Sequence, residues 1–222
     1  MIDLHIHSTF SDGTDTPEQL IHLAEKSGLK AIALTDHDTT QGWDRFRTAA
    51  ESSPVEPVSG VEISAEFSPG TLHMLGYLID TSYDPLQKAL FEIRGGRTLR
   101  NSRILEQLNR LGFPLTMEEV SAFAGEDVVG RPHFAQALQA RGFVKNKNEA
   151  FELYLAKGKP AYAERYRPGI KESIDLIRQA GGVAVLAHPF TLKASADKLS
   201  SLLTEWVAMG LGGMEVYYTE HT

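Results

Sequence analysis

Apolar Ile2, Leu4 and Ile6 alternate with polar Asp3, His5 and His7 at the start of the chain. A period of two predicts a strand, with His5 and His7 projecting from one face at its C-terminal end. Asp12 follows Ser8 to Ser11 on a predicted loop that bends back over the strand end. Thr16-Pro17-Glu18-Gln19 predicts a helix start: Thr16 caps, Pro17 suits the first helical position and Gln19 completes a capping box. Leu20, Leu23 and Ala24 mark its expected buried stripe and Gly28 its end, with His22 off the stripe as a solvated residue. Residues 30–35 (KAIALT) are nearly all apolar, as expected for a strand of a parallel sheet covered on both faces, and they lead into Asp36-His37-Asp38. A second helix is expected over residues 43–50 and a third strand over 55–64, carrying Glu62 at its tip. Pro69-Gly70 makes a turn before a fourth strand over 71–78, with His73 near its start.

The pattern changes between residues 85 and 167, where no strand signal occurs. Helical stretches fall at about 85–111, 116–124, 132–142 and 147–157, separated by Gly112-Phe113-Pro114, residues 125–130 and Gly142-Phe143. Helices interrupting a strand–helix alternation predict an inserted helical subdomain, dividing the chain into 1–84, 85–167 and 168–222. Arg97, Arg100 and Arg103 recur at three-residue spacing and are expected on one side of a helix, which reads equally well as a solvated face. Arg131-Pro132-His133 opens another helix, where a guanidinium, an imidazole and free backbone N–H groups suit a phosphate. The alternation resumes at Pro168. Ile170, Ile174 and Ile177 give an amphipathic helix, residues 183–187 (VAVLA) a buried strand delivering His188 at its tip, residues 195–209 a helix, and Gly213 to Tyr218 a further strand.

Composition narrows the chemistry. Hydrophobic content of 42% and charged content of 23% over 222 residues suit a folded chain able to bury a core. With 29 acidic against 22 basic residues and a net charge of -7, no broad basic surface announces a nucleic-acid binder, although a local basic groove is compatible. The absence of cysteine excludes disulfides and thiolate metal sites, so a metal must sit on His, Asp and Glu. No signal peptide precedes Asp3, and no apolar run approaches the roughly 20 residues that span a bilayer. The expected setting is cytoplasmic, without a membrane and with no protein partner evident.

His5, His7, Asp12, His37, Glu62, His73 and His188 come from five strands or the loops just after them. A lone histidine on a strand face, or a lone glutamate at a strand tip, has an ordinary structural explanation; the set in register points to one converging site on a barrel rim. Nitrogen and oxygen donors suit Mn, Zn, Fe or Mg, and seven donors are too many for one ion, implying two or three with bridging ligands. Such a site acidifies a bridging water and clamps a phosphoryl group. No serine or cysteine nucleophile elbow competes with it.

The stretches HIHSTFSDG, LTDHD, GVEIS, the His73 strand, GRPHFA and VAVLAHP together resemble the polymerase-and-histidinol-phosphatase (PHP) family of metal-dependent phosphoesterases. The resemblance runs through nearly the whole chain. It is narrower to the bacterial branch that removes the 3′-phosphate from nucleoside 3′,5′-bisphosphates, whose relatives trim RNA or short oligonucleotides from the 5′ end. It implies an α/β fold, a distorted (β/α)7 barrel, with a trinuclear site that often holds manganese. Carried over, His5, His7 and Glu62 hold one metal, Glu62 bridges to a second held by His73 and His188, and Asp12 and His37 hold the third. Arg131 and His133 bind substrate phosphate, with Arg97 and Arg100 as candidates for a second phosphate. The implied reaction is attack of a metal-bridging hydroxide on phosphorus while Arg131 holds a non-bridging oxygen. The family pattern closes with an Asp-x-His pair after a seventh strand; none follows His188 here, and about six strands are predicted, so a barrel truncated before its last strand is expected. Two rival expectations are a phosphatase for small phosphomonoesters such as histidinol phosphate, and a non-catalytic PHP-like module that binds metal or nucleic acid.

Overall fold

Strands and helices alternate as predicted at both ends of the computed structural model, which describes residues 1–124 and 129–217. The elements are β1 (Ile2–Ile6), α1 (Pro17–Lys26), β2 (Ala31–Leu34), α2 (Trp43–Ala50), β3 (Glu56–Ala65), β4 (Leu72–Tyr77) and α3 (Asp84–Arg110). There follow α4 (Met117–Ser121), α5 (Arg131–Ala140), α6 (Lys147–Ala150) running on as a π-helical turn (Phe151–Leu155), α7 (Ile170–Gln179), β5 (Val183–Leu186), α8 (Ala196–Met209) and β6 (Gly213–Met214). Residues 125–128 of the expected separator, and Tyr218 at the end of the last expected strand, lie outside the described residues.

The six strands form one sheet in sequence order, β1 to β6. It is mixed, not all parallel as expected: β4 runs antiparallel to both β3 and β5, while β1–β2, β2–β3 and β5–β6 are parallel. The reason is connection length. Only residues 66–71 join β3 to β4, and a parallel crossover needs a dozen or more. Reversal puts the first residues of β4 beside the last residues of β3, pairing His73 with Ser64. His5 on β1 reaches Glu215 just beyond β6 at 2.9 Å, so the sheet curls until its two outer strands approach.

The start of α1 is built as its sequence dictates. Thr16 Oγ1 accepts from the Gln19 N–H at 3.3 Å, and the Gln19 side chain accepts from the Thr16 N–H at 2.7 Å. Its buried residues are Pro17, Ile21 and Ala24; Leu23, expected inside, is 44% exposed. The helix is rotated so that Ile21 packs with Ile32, Leu34 and Phe46 under β1–β3. A larger core lies between β3–β5 and the helices α7 and α8, where Val61, Ile63, Met74, Ile174, Ile177, Leu186 and Trp206 are buried. Each such side chain contributes about 1.5–3 kcal/mol when fully buried.

Two compact units are present: the chain before Arg94 together with the chain from Arg167 onward, and Arg94–Tyr166. The division falls inside α3, beyond the boundary that its first residue suggests. The second unit has its own core, with Ile104, Leu108, Val120, Phe134, Leu138 and Leu155 buried. Among the described residues, no helix is long and apolar enough to cross a membrane.

Candidate metal centre

Glu62 is the organising residue. It sits on β3 with its side chain almost fully enclosed, and a parallel bridge to His37 extends the β2–β3 pairing past the end of β2. Its two carboxylate oxygens face different imidazoles. Oε2 lies 3.2 Å from His5 Nε2, 3.2 Å from His7 Nε2 and 3.1 Å from His37 Nδ1. Oε1 lies 2.8 Å from His73 Nδ1 and 2.9 Å from His188 Nε2. Asp12, half exposed on the loop after β1, places one oxygen 3.5 Å from His7 Nδ1 and the other 3.4 Å from His37 Nε2. All seven predicted ligands are thus brought together. Their donor atoms approach most closely as two groups sharing Glu62: His5 with His188, and His7 with His37.

The loops that aim these side chains are held by two buried carboxylates flanking His37. Asp36 accepts from the Ser8 N–H and from the hydroxyls of Ser8 and Ser11, each at 2.7 Å. Asp38 accepts from the Ser64 N–H and hydroxyl at 2.7 and 2.9 Å, with its backbone in the left-handed region at φ 55°. Gly13 lets the first loop fold back, because a Cβ there would lie 2.1 Å from the His7 carbonyl oxygen. The sequence reading missed Glu215. A strand through residue 218 would leave Glu215 in mid-strand; β6 ends at Met214, so Glu215 falls just past a strand end, whereas Glu62, expected at a tip, lies within β3, paired with Leu75.

The electrostatics are those of an anion shared among imidazoles. Burial works against the Glu62 carboxylate, yet the close imidazoles of His188, His5, His7 and His73 outweigh it and hold the group well below its ordinary range. Burial also opposes a charged His5, but its bonds to Glu215 and Glu62 raise it to about 9. For His37, burial dominates, the Glu62 charge offsets only part of it, and the neighbouring His73 and His7 add repulsion, lowering it to about 4.

In the metal-free protein these shifts give stability a maximum. The contribution of His5 is complete below its unfolded value of about 6.5 and is lost as pH rises through about 9. Burying His37 neutral and Glu62 charged favours folding above their unfolded values and is lost as pH falls through the acid range. Thermal melts of chelator-treated protein from about pH 4 to about pH 10 should therefore peak near about pH 6.5–7. A melting temperature still rising at the alkaline end would contradict this electrostatic account.

A divalent cation fits the donor set. Among the described residues, Glu62 Oε2 and His37 Nδ1 are buried without a well-formed hydrogen bond, and three ring nitrogens crowd that one oxygen. Orphaned lone pairs converging in a cysteine-free, oxygen-and-nitrogen environment are what a hard or borderline metal satisfies.

The predicted phosphate-binding residues lie in the second unit. Arg131 begins α5, donates to the Leu155 carbonyl at 3.4 Å and lies over the Tyr162 ring at 5.3 Å. His133 Nδ1 accepts from the Gly130 N–H at 3.0 Å, capping the helix and leaving a neutral ring its proton on Nε2. Arg97, Arg100 and Arg103 do not share one environment as their spacing suggested: Arg97 is half-buried, Arg103 exposed, and Arg100 buried with its guanidinium on Asn101 Oδ1 at 2.8 and 3.1 Å.

Fold and site together define a metal-dependent phosphoesterase. The chain belongs to the PHP domain family, whose model matches residues 3–208. It is 34% identical to a 5′-3′ exoribonuclease of Haemophilus influenzae, over 96% of this chain and 78% of that protein. It is 32% identical to a 3′,5′-nucleoside bisphosphate phosphatase of Chromobacterium violaceum, over 100% of this chain and 78% of the other. Among solved structures it resembles one described as a metal-dependent phosphoesterase of Bifidobacterium adolescentis, with a TM-score of 0.76, 34% identity and coverage of 100% of this chain and 78% of that one.

Proposed function

We propose that this enzyme hydrolyses phosphate esters of nucleotides, removing the 3′-phosphate from nucleoside 3′,5′-bisphosphates and trimming RNA or short oligonucleotides from their 5′ ends. The observation that carries the reading is Glu62, a buried carboxylate whose two oxygens each face a separate set of imidazoles. Two relatives, one named for each activity, support the substrate class. His5, His7, Glu62, His73 and His188 would hold two divalent ions, and Asp12 with His37 a third. Manganese is the first choice, with zinc, iron and magnesium compatible with the same donors. Bound there, the ions would supply Lewis-acid stabilisation of charge building on the phosphoryl oxygens.

The chain's own groups do the rest. The Arg131 guanidinium offers a planar fork to a phosphate, and His133 offers its Nε2–H at the start of α5. Arg97 and Arg100 stand as candidates for the second phosphate. An inserted helical subdomain over residues 85–167 and a cytoplasmic setting belong to the same proposal.

The test is phosphate release from adenosine 3′,5′-bisphosphate and from a 5′-phosphorylated oligoribonucleotide, with manganese added. Turnover of at least one is expected, and Arg131→Ala should lower kcat/KM by about 10²-fold while leaving metal content unchanged. A metal-loaded protein inert on both substrates sinks the proposal.

A further inference from the structure

We infer that Glu215 is a positioning residue that sets two candidate metal ligands at once, the ring of His5 and the backbone of His188. Its carboxylate is nearly buried and both oxygens are committed. Oε1 accepts from His5 Nδ1–H at 2.9 Å, and Oε2 accepts from the His188 N–H at 2.6 Å. The proton held on Nδ1 turns the Nε2 lone pair of His5 towards Glu62, 3.2 Å away. A carboxylate behind a ligating histidine does this job generally, fixing tautomer and ring orientation.

The second bond is less usual. His188 has φ 22° and ψ 71°, a conformation that a residue with a side chain rarely adopts. Its N–H is anchored by Glu215, while its Nδ1 meets Thr191 Oγ1 at 3.1 Å and its Nε2 points at Glu62 Oε1 at 2.9 Å. The backbone places Glu215 for both tasks. Its N–H donates to the Leu186 carbonyl at 2.9 Å, one step past the β5–β6 pairing, so its side chain emerges beside the residues that follow β5. From there it also spans to β1, the opposite outer strand of the sheet.

Only a carboxylate of this length serves. Two N–H donors converge on its two oxygens, and a glutamine has one acceptor oxygen, so its amide NH2 must oppose one of those donors. Aspartate falls a methylene short. This inference rests on His5 and His188 holding metal.

The experiment compares the full chain with Glu215→Gln, Glu215→Ala and His188→Ala. Each is stripped of metal, checked by circular dichroism and titrated with manganese against a chelator of known affinity. Glu215→Gln should keep the wild-type number of ions at saturation and lose about 10- to 100-fold in affinity, with Glu215→Ala losing at least as much. In the zinc-loaded wild type, nitrogen-15 NMR should find the His5 proton on Nδ1, a readout independent of whether any variant folds. Unchanged affinity in Glu215→Gln, or a His5 proton on Nε2, overturns the inference. Loss of a whole ion at saturation also overturns it, by making Glu215 a ligand. Failure of the underlying metal reading looks different: the wild type takes up no metal, or His188→Ala binds it as the wild type does.

Discussion

Glu62→Ala is expected to strip the protein of metal and to lower phosphoesterase turnover by at least about 10³-fold, more than any other single substitution. Among the described residues, no other carboxylate touches five imidazoles, and no other supplies an oxygen to both groups of donors. Without it the cluster is a set of neutral or mutually repelling rings, with Asp12 half exposed at one side. Glu62→Gln is the informative companion, since it keeps the shape and removes the charge. It should also lose metal, whereas a purely steric role would leave it unaffected. Metal analysis and phosphate release on the same preparations decide the point. A Glu62→Ala protein retaining its metal and activity within about tenfold would remove Glu62 from the centre of the site.

Asp36→Ala should destabilise the metal-free protein by about 3 kcal/mol or more. Three donors, the Ser8 N–H and the hydroxyls of Ser8 and Ser11, all converge on Asp36; the alanine strands both buried Ser8 donors and leaves Ser11 only the longer contact to Asp12 Oδ1 at 3.3 Å. At about 2–4 °C per kcal/mol for a domain of this size, the melting temperature should fall by about 6–12 °C. Ser8→Ala, which removes a single hydroxyl donor, should cost far less, about 1 kcal/mol. Metal affinity should fall as well, because the same loop carries His7 and Asp12. A melting temperature of Asp36→Ala within about 2 °C of the wild type would contradict the account.

Local signals were the legible ones. Alternation at the first residues placed His5 and His7 on one strand end, and the Thr16–Gln19 box marked the start of α1 to the residue. Glu62 stood out because neighbouring strand ends carry imidazoles, although it lies within β3 and not at its tip. What local patterns do not encode is the direction and rotation of an element in the finished fold. The reversal of β4 was hidden in a short connection, which forbids a crossover but contains no explicit sign of it. Helical period alone put Leu23 on the inner face of α1, where packing against β2 turns Ile21 inward instead. Glu215 was missed because the apolar run of GMEVYY outlasts the strand that pairs. In the arginine row, three-residue spacing drifts around the helix, so Arg100 turns inward while Arg103 meets solvent.

The reach of Glu62 along the chain bears on the order of events during synthesis. His188 is 126 positions from Glu62, and His5 is 210 from Glu215. Contacts so distant in sequence close late, after the entropy of a long loop has been overcome. A nascent chain that has emerged only through β4 carries His5, His7, Asp12, His37, Glu62 and His73, but neither His188 nor Glu215. The complete set of imidazoles and carboxylates therefore exists only after the helical segment between β4 and β5 has been made and β5 has paired with β4.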